Sequence, residues 1–219
     1  MTALSLLLLV RSESAAQELP RLFVGATFGV ATLSADVRAV TTEDETRVGM
    51  YKPENGLAIN GFGGIHLWQY FSLQASYLWN RNELTLISAR VNPRAGGFYV
   101  NQRASAQHVI VIDGLLYFRG RDSAVRPYLG TGLCLVRFTS QTVTRSLTGQ
   151  LDPPADQIAS TRIALRSAVG VDLWINRHTA FRYSFSETIS GNPISPHLTP
   201  RGERGLANYQ NLFGFVARF

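Results

Sequence analysis

The stretch Phe71-Ser72-Leu73-Gln74-Ala75-Ser76-Tyr77-Leu78-Trp79-Asn80 decides the fold. Successive side chains of an extended chain point to opposite sides, so Phe71, Leu73, Ala75, Tyr77 and Trp79 share one face while Ser72, Gln74, Ser76 and Asn80 share the other. Seven further segments repeat this period of two: Arg21 to Leu33, Leu57 to Leu67, Gln107 to Phe118, Pro127 to Phe138, Thr161 to Ile175, Thr179 to Thr188 and Ala207 to Phe219. Each is long enough to cross a bilayer as a tilted strand, which takes roughly 9–11 residues.

Alternation alone gives an antiparallel all-β fold and says nothing of location. Location follows from what the polar faces carry. In the first segment Leu22, Val24, Ala26, Phe28 and Val30 lie opposite Gly25, Thr27, Gly29 and Ala31. Ile163, Leu165, Val169, Val171 and Leu173 oppose Arg162, Arg166, Gly170 and Asp172, with Ser167 the exception on the apolar side; Phe181, Tyr183 and Phe185 oppose Arg182, Ser184 and Ser186. Small and polar groups suit the crowded lumen of a narrow barrel, whereas the outside of a soluble barrel would carry many Lys and Glu. The apolar faces are therefore expected toward lipid. A secreted lipocalin-like barrel that binds a small apolar ligand is the soluble alternative.

The connections alternate in length. Residues 34–56, 82–106, 139–160 and 189–206 read as long loops rich in polar residues, Gly and Pro, and 68–70, 120–126 and 176–178 as short turns. Long extracellular loops and short periplasmic turns, with both chain ends periplasmic, are the pattern of outer-membrane barrels. Aromatic residues near segment ends, including Trp68, Tyr70, Phe71, Tyr117, Phe118 and Trp174 on the turn side and Trp79 and Phe138 on the loop side, are expected to form interfacial girdles.

Composition agrees. Charged residues are 16%, against roughly 25% in soluble domains, and 19 Gly with 11% aromatics point to many short strands and tight turns. The net charge of +6 is almost wholly arginine, since Lys52 is the only lysine, and its scatter argues against nucleic-acid binding. Cys134, the single cysteine, excludes an internal disulfide and a Cys-based zinc site. The Leu-rich run from Ala3 to Val10 followed by Ser14-Ala15-Ala16-Gln17 reads as a signal peptide cleaved after Ala16, leaving residues 17–219 as the barrel.

The last segment, Tyr209-Gln210-Asn211-Leu212-Phe213-Gly214-Phe215-Val216-Ala217-Arg218-Phe219, resembles the C-terminal signal of bacterial outer-membrane barrels, with Tyr209, Phe213, Phe215, Ala217 and Phe219 matching and Asn211 departing. The eight segments together, with Pro127-Tyr128-Leu129-Gly130-Thr131-Gly132, look like the small eight-stranded barrels of the OmpA and OmpX type. The resemblance implies an up-and-down transmembrane barrel in the outer membrane, a terminal strand read by the barrel assembly machinery, and contact with outer-membrane lipid and lipopolysaccharide. The peptidoglycan-binding domain of some members is not part of the pattern.

Eight strands enclose a lumen that side chains fill, so a wide pore is not expected. If the 176–178 turn is tight, Asp172 and Arg182 face each other inside, and Asp113, Arg166 and Arg218 are candidates to join them in an ionic network, because unpaired charges there would cost several kcal/mol. A lipid-modifying barrel enzyme is the catalytic alternative, since Phe181 to Ser186 faintly resembles a lipid A deacylase strand with a His-x-Ser pair. None of His66, His108, His178 and His197 is followed two residues later by Ser, and none has metal-ligand spacing, so no catalytic residue, metal or cofactor is expected. Function is expected in the loops of a monomeric, non-enzymatic barrel, where Arg38, Arg47, Lys52, Arg90, Arg94, Arg103, Arg145, Arg201 and Arg204 are available to anionic headgroups or glycans.

Overall fold

The computed structural model describes residues 21–92 and 96–219. The expected leader, residues 1–16, and Arg94 lie outside the described residues. The strands are β1 (Leu22–Leu33), β2 (Asp36–Thr41), β3 (Thr46–Pro53), β4 (Gly56–His66), β5 (Phe71–Val91), β6 (Gly97–Tyr117), β7 (Val125–Gly149), β8 (Gln157–Trp174), β9 (Thr179–Gly191) and β10 (Gly205–Arg218).

Eight of them close a ring. β1 pairs with β4, and pairing continues through β5, β6, β7, β8 and β9 to β10, which returns to β1, every pair antiparallel. The closing seam sets Phe28 opposite Phe213 and Gly25 opposite Val216. Closure leaves the ring no unpaired edge, which hydrocarbon would not tolerate. The eight expected segments are these eight strands, and the expected inside and outside faces are the observed ones. Leu133, Ile163 and Phe215 are 62%, 77% and 58% exposed on the outer face. Leaving such side chains in water forfeits roughly 1.5–3 kcal/mol each, so the band is solvated by lipid.

Two expectations need correction. Residues 82–106 and 139–160 are not structureless: β5 and β6 continue in register past Arg81 as far as Arg90 opposite Gly97, and β7 follows β6 to Gly149. Residues 34–56 hold a hairpin, β2–β3, whose second strand adds to the upper half of β5 from Thr46 opposite Val91 to Pro53 opposite Leu84. A curved five-stranded platform of β2, β3, β5, β6 and β7 thus rises from the loop end of the ring. Once a hairpin has left the bilayer its backbone groups still need partners, and extending the ladder supplies them.

The second correction concerns aromatics. Trp68, Tyr70 and Phe118 are 70%, 48% and 59% exposed at the turn end, as a girdle requires, but Tyr117 and Phe138 are 2% exposed and point inward. Trp174 also packs against the interior. Parity decides this: Tyr117 shares the face of Leu115 and Asp113, while its neighbour Phe118 takes the other.

The interior is filled in three layers. At the turn end lie Phe23, Phe62, Leu115, Tyr117, Tyr128, Ala180 and Val216. The middle mixes small and aliphatic residues: Ala31, Ala58, Leu78, Val109, Val111, Cys134, Val136, Ala164 and Leu212. At the loop end Leu33, Tyr51, Leu84, Leu86, Tyr99, Phe138, Ile158, Ile194, Leu198 and Leu206 form an apolar core. Here the inward face is dominated by large apolar side chains, because water and no longer lipid surrounds the wall.

Candidate functional site

The candidate site is the polar column of the lumen together with the platform that closes it. Asp172 and Arg182 are directly opposed across the tight β8–β9 turn. Arg182 donates from Nε to Asp172 Oδ1 at 2.5 Å and from Nη2 to Oδ2 at 2.7 Å, and from Nη1 to Gln74 Oε1 at 2.7 Å. Its guanidinium lies 4.7 Å from the Phe62 ring centroid and 5.0 Å from that of Tyr128, while the Tyr117 hydroxyl donates to Asp172 Oδ2 at 3.1 Å. One level further in, Arg166 on β8 ion-pairs with Asp113 on β6. Above it the column becomes neutral: Asn208 donates to Gln107 Oε1 at 2.7 Å and Ser186 to Gln210 Oε1 at 2.8 Å.

Arg218 joins neither pair. It sits at the turn end, donating to the carbonyls of Arg177 at 2.5 Å and Arg121 at 3.0 Å, with its guanidinium 3.8 Å from the Trp174 ring centroid. Tyr209, Phe213, Phe215 and Phe219 of the terminal strand face outward, and Phe28 meets Phe213 edge-on across the seam at 4.4 Å.

A His–Ser contact that motif reading missed is present. His66 Nδ1 and Ser72 Oγ are 2.6 Å apart, directly opposed across the 67–70 turn. The signal was the turn, which brings two residues six apart into register. Ser72 is 0% exposed and His66 packs against Phe23 and Tyr117, so the pair is enclosed among aromatic rings. Among the described residues no group of three His, Cys, Asp or Glu is placed to hold a metal ion.

The loop end is closed by residues 192–204. Asn192 donates to the Tyr51 hydroxyl at 2.9 Å, Ser88 to the Thr199 carbonyl at 2.8 Å, and the Glu203 amide to Asp36 Oδ2 at 2.6 Å, while Ile194 and Leu198 enter the apolar core. The loop arginines differ in state. Arg103 is buried, donating to the side chains of Ser140 and Thr142 and to the carbonyls of Ser140, Ala155 and Asp156. Arg47 and Arg90 pair with Glu45, and Arg145 pairs with Asp156. The hydrogen bond from Arg47, with attraction to Arg90, holds the Glu45 carboxyl below its ordinary range. Arg38, Lys52, Arg201 and Arg204 are exposed. Arg201 and Arg204, with Arg162, line an open cleft of about 380 Å³ that also contains Glu203.

A closed antiparallel ring with an apolar exterior and a polar, filled lumen is a membrane-spanning β-barrel. The whole chain, residues 1–219, matches the outer membrane protein beta-barrel domain, and the protein belongs to that family of the bacterial outer membrane. Solved structures of similar architecture include Neisserial surface protein A, NspA, with 15% identity over 90% of this chain and 97% of that one at a TM-score of 0.45. OprG from Pseudomonas aeruginosa has 10% identity over 92% and 97% at 0.48, and Ail, the attachment invasion locus protein of Yersinia pestis, 8% over 91% and 99% at 0.46. No curated protein matches the sequence.

Proposed function

We propose that the protein is a sealed, non-enzymatic envelope barrel that works through the platform outside the bilayer, with both chain ends and the short turns on the periplasmic side. The observation that carries this reading is the filled lumen: among the described residues, three packed layers and two ion pairs occupy it and the 192–204 loop covers its loop end. Side chains held this way are packed and paired, and the apolar wall faces the acyl chains. Lipopolysaccharide headgroups are the partner that the exposed Arg38, Lys52, Arg201 and Arg204 fit by charge, and the outward aromatic row ending at Phe219 is the face offered to the assembly machinery. The barrel works as a monomer.

The test combines fractionation with conductance. Outer-membrane recovery, a heat-dependent shift in detergent gels and planar-bilayer traces without steady openings are expected. A stable conductance of the wild-type protein would overturn the sealed reading.

A further inference from the structure

The buried charge of the lumen does not balance. Among the described residues the buried arginines are Arg103, Arg126, Arg166, Arg182 and Arg218, whereas the buried acidic residues are Asp113 and Asp172. Arg166 takes Asp113 and Arg182 takes both oxygens of Asp172. Arg103 is solvated by five neutral acceptors and Arg218 by two carbonyls and the Trp174 face.

Arg126 is different. It is 0% exposed, its Nη2 reaches only the Gln69 carbonyl at 3.4 Å, and its Nε and Nη1 have no acceptor. Its guanidinium lies 3.9 Å from the centroid of the Tyr117 ring, and His66 packs edge-on to that ring at 6.0 Å. His66 Nε2 and Trp174 Nε1, on the same aromatic cluster, are likewise buried without a partner. Arg121, Arg182 and Arg218 add positive field at His66. Asp172, opposite Arg126 in register, attracts it but gives both oxygens to Arg182, so two of the Arg126 guanidinium nitrogens are left without an acceptor in an enclosed place, which burial penalises.

We propose that the turn end of the lumen binds a small monovalent anion, a halide of chloride size, on Arg126, with Trp174 Nε1 and His66 Nε2 as further donors. The ion is taken free from solution, because a group with no exposed surface is beyond a lipid headgroup. Monovalence follows from enclosure: a divalent phosphate would lose far more hydration on entering. The ion acts as the missing partner of the fifth arginine and fastens the β6–β7 turn to the barrel.

Full-length protein folded in zwitterionic detergent is unfolded in urea at fixed pH while sodium chloride replaces sodium gluconate at constant ionic strength. Well above half-saturation the unfolding equilibrium constant falls about tenfold for each tenfold rise in chloride. Arg126→Met removes the dependence. Crystals soaked in bromide show an anomalous peak beside the Arg126 guanidinium, a readout that does not need the variant to fold. A chloride-independent wild-type protein, an equal slope in Arg126→Met, or wild-type crystals with no bromide there would each overturn the proposal.

Discussion

Asp172 and Arg182 are opposed in register across the β8–β9 turn and bound through both carboxylate oxygens, deep in the turn-end layer of the lumen. Arg182→Leu leaves Asp172 with the Tyr117 hydroxyl as its hydrogen-bond donor, and breaking a buried pair costs about 3–5 kcal/mol. Asp172→Leu together with Arg182→Leu is expected to recover much of that loss. Urea unfolding in detergent of the two single variants and the double variant measures it, and additive losses would show that the pair is not coupled.

Depth along one strand gives a second prediction. Leu133 and Val143 both face outward on β7, 62% and 65% exposed, but Leu133 lies within the ring and Val143 on the platform. Leu133→Arg is expected to destabilise by about 2–4 kcal/mol, as a cation at the bilayer midplane does, and Val143→Arg by less than about 0.5 kcal/mol. Equal effects would place the bilayer wrongly on this strand.

Arg103 on β6 ties the end of the β7–β8 connection to that strand through the carbonyls of Ala155 and Asp156. Arg103→Met keeps the apolar stem and removes the donors. Limited proteolysis is expected to cut residues 150–157 at least about tenfold faster while the ring stays heat-modifiable, since local opening costs only what the loop itself contributes. Unchanged cleavage would show that the loop is held by something else.

A fourth prediction concerns pH at the tip of the β2–β3 hairpin. Glu45 has its carboxyl lowered by Arg47 and Arg90, so its ion pairs add stability above the ordinary carboxylate range and lose it as pH falls through the lowered value. Side-chain NMR of Glu45 in Arg47→Gln is expected to titrate at higher pH than in the wild-type protein. Identical titrations would show that Arg47 does not hold it.

The ring was legible because lipid outside and small or polar groups inside impose one parity on every crossing strand, and Phe71 to Asn80 shows it with Leu78 as the exception on the inner face. Reading failed above Arg81 for the same reason. Leu84 and Leu86 are buried on the face that carries Ser72, Gln74 and Asn80 lower down, so the apolar parity inverts and a search anchored on it stops. Asp172 and Arg182 were legible because a short turn fixes register over so few residues. Arg126 was not, since a buried cation beside a turn looks in sequence like any solvated arginine.

The inversion of apolar parity on β5 makes the strand its own depth gauge. From Phe71 to Asn80 the lipid-facing residues occupy one phase, and at roughly 3.3 Å per residue with a tilt near 40° that stretch spans about 25 Å of membrane normal, the height of an outer-membrane apolar band. Where the phase changes, the solvent changes. A strand that pairs in one unbroken ladder therefore records the bilayer surface in which side of it is greasy, and an insertion of one residue near Asn80 would have to be absorbed as a bulge or turn Leu84 and Leu86 out of the interior.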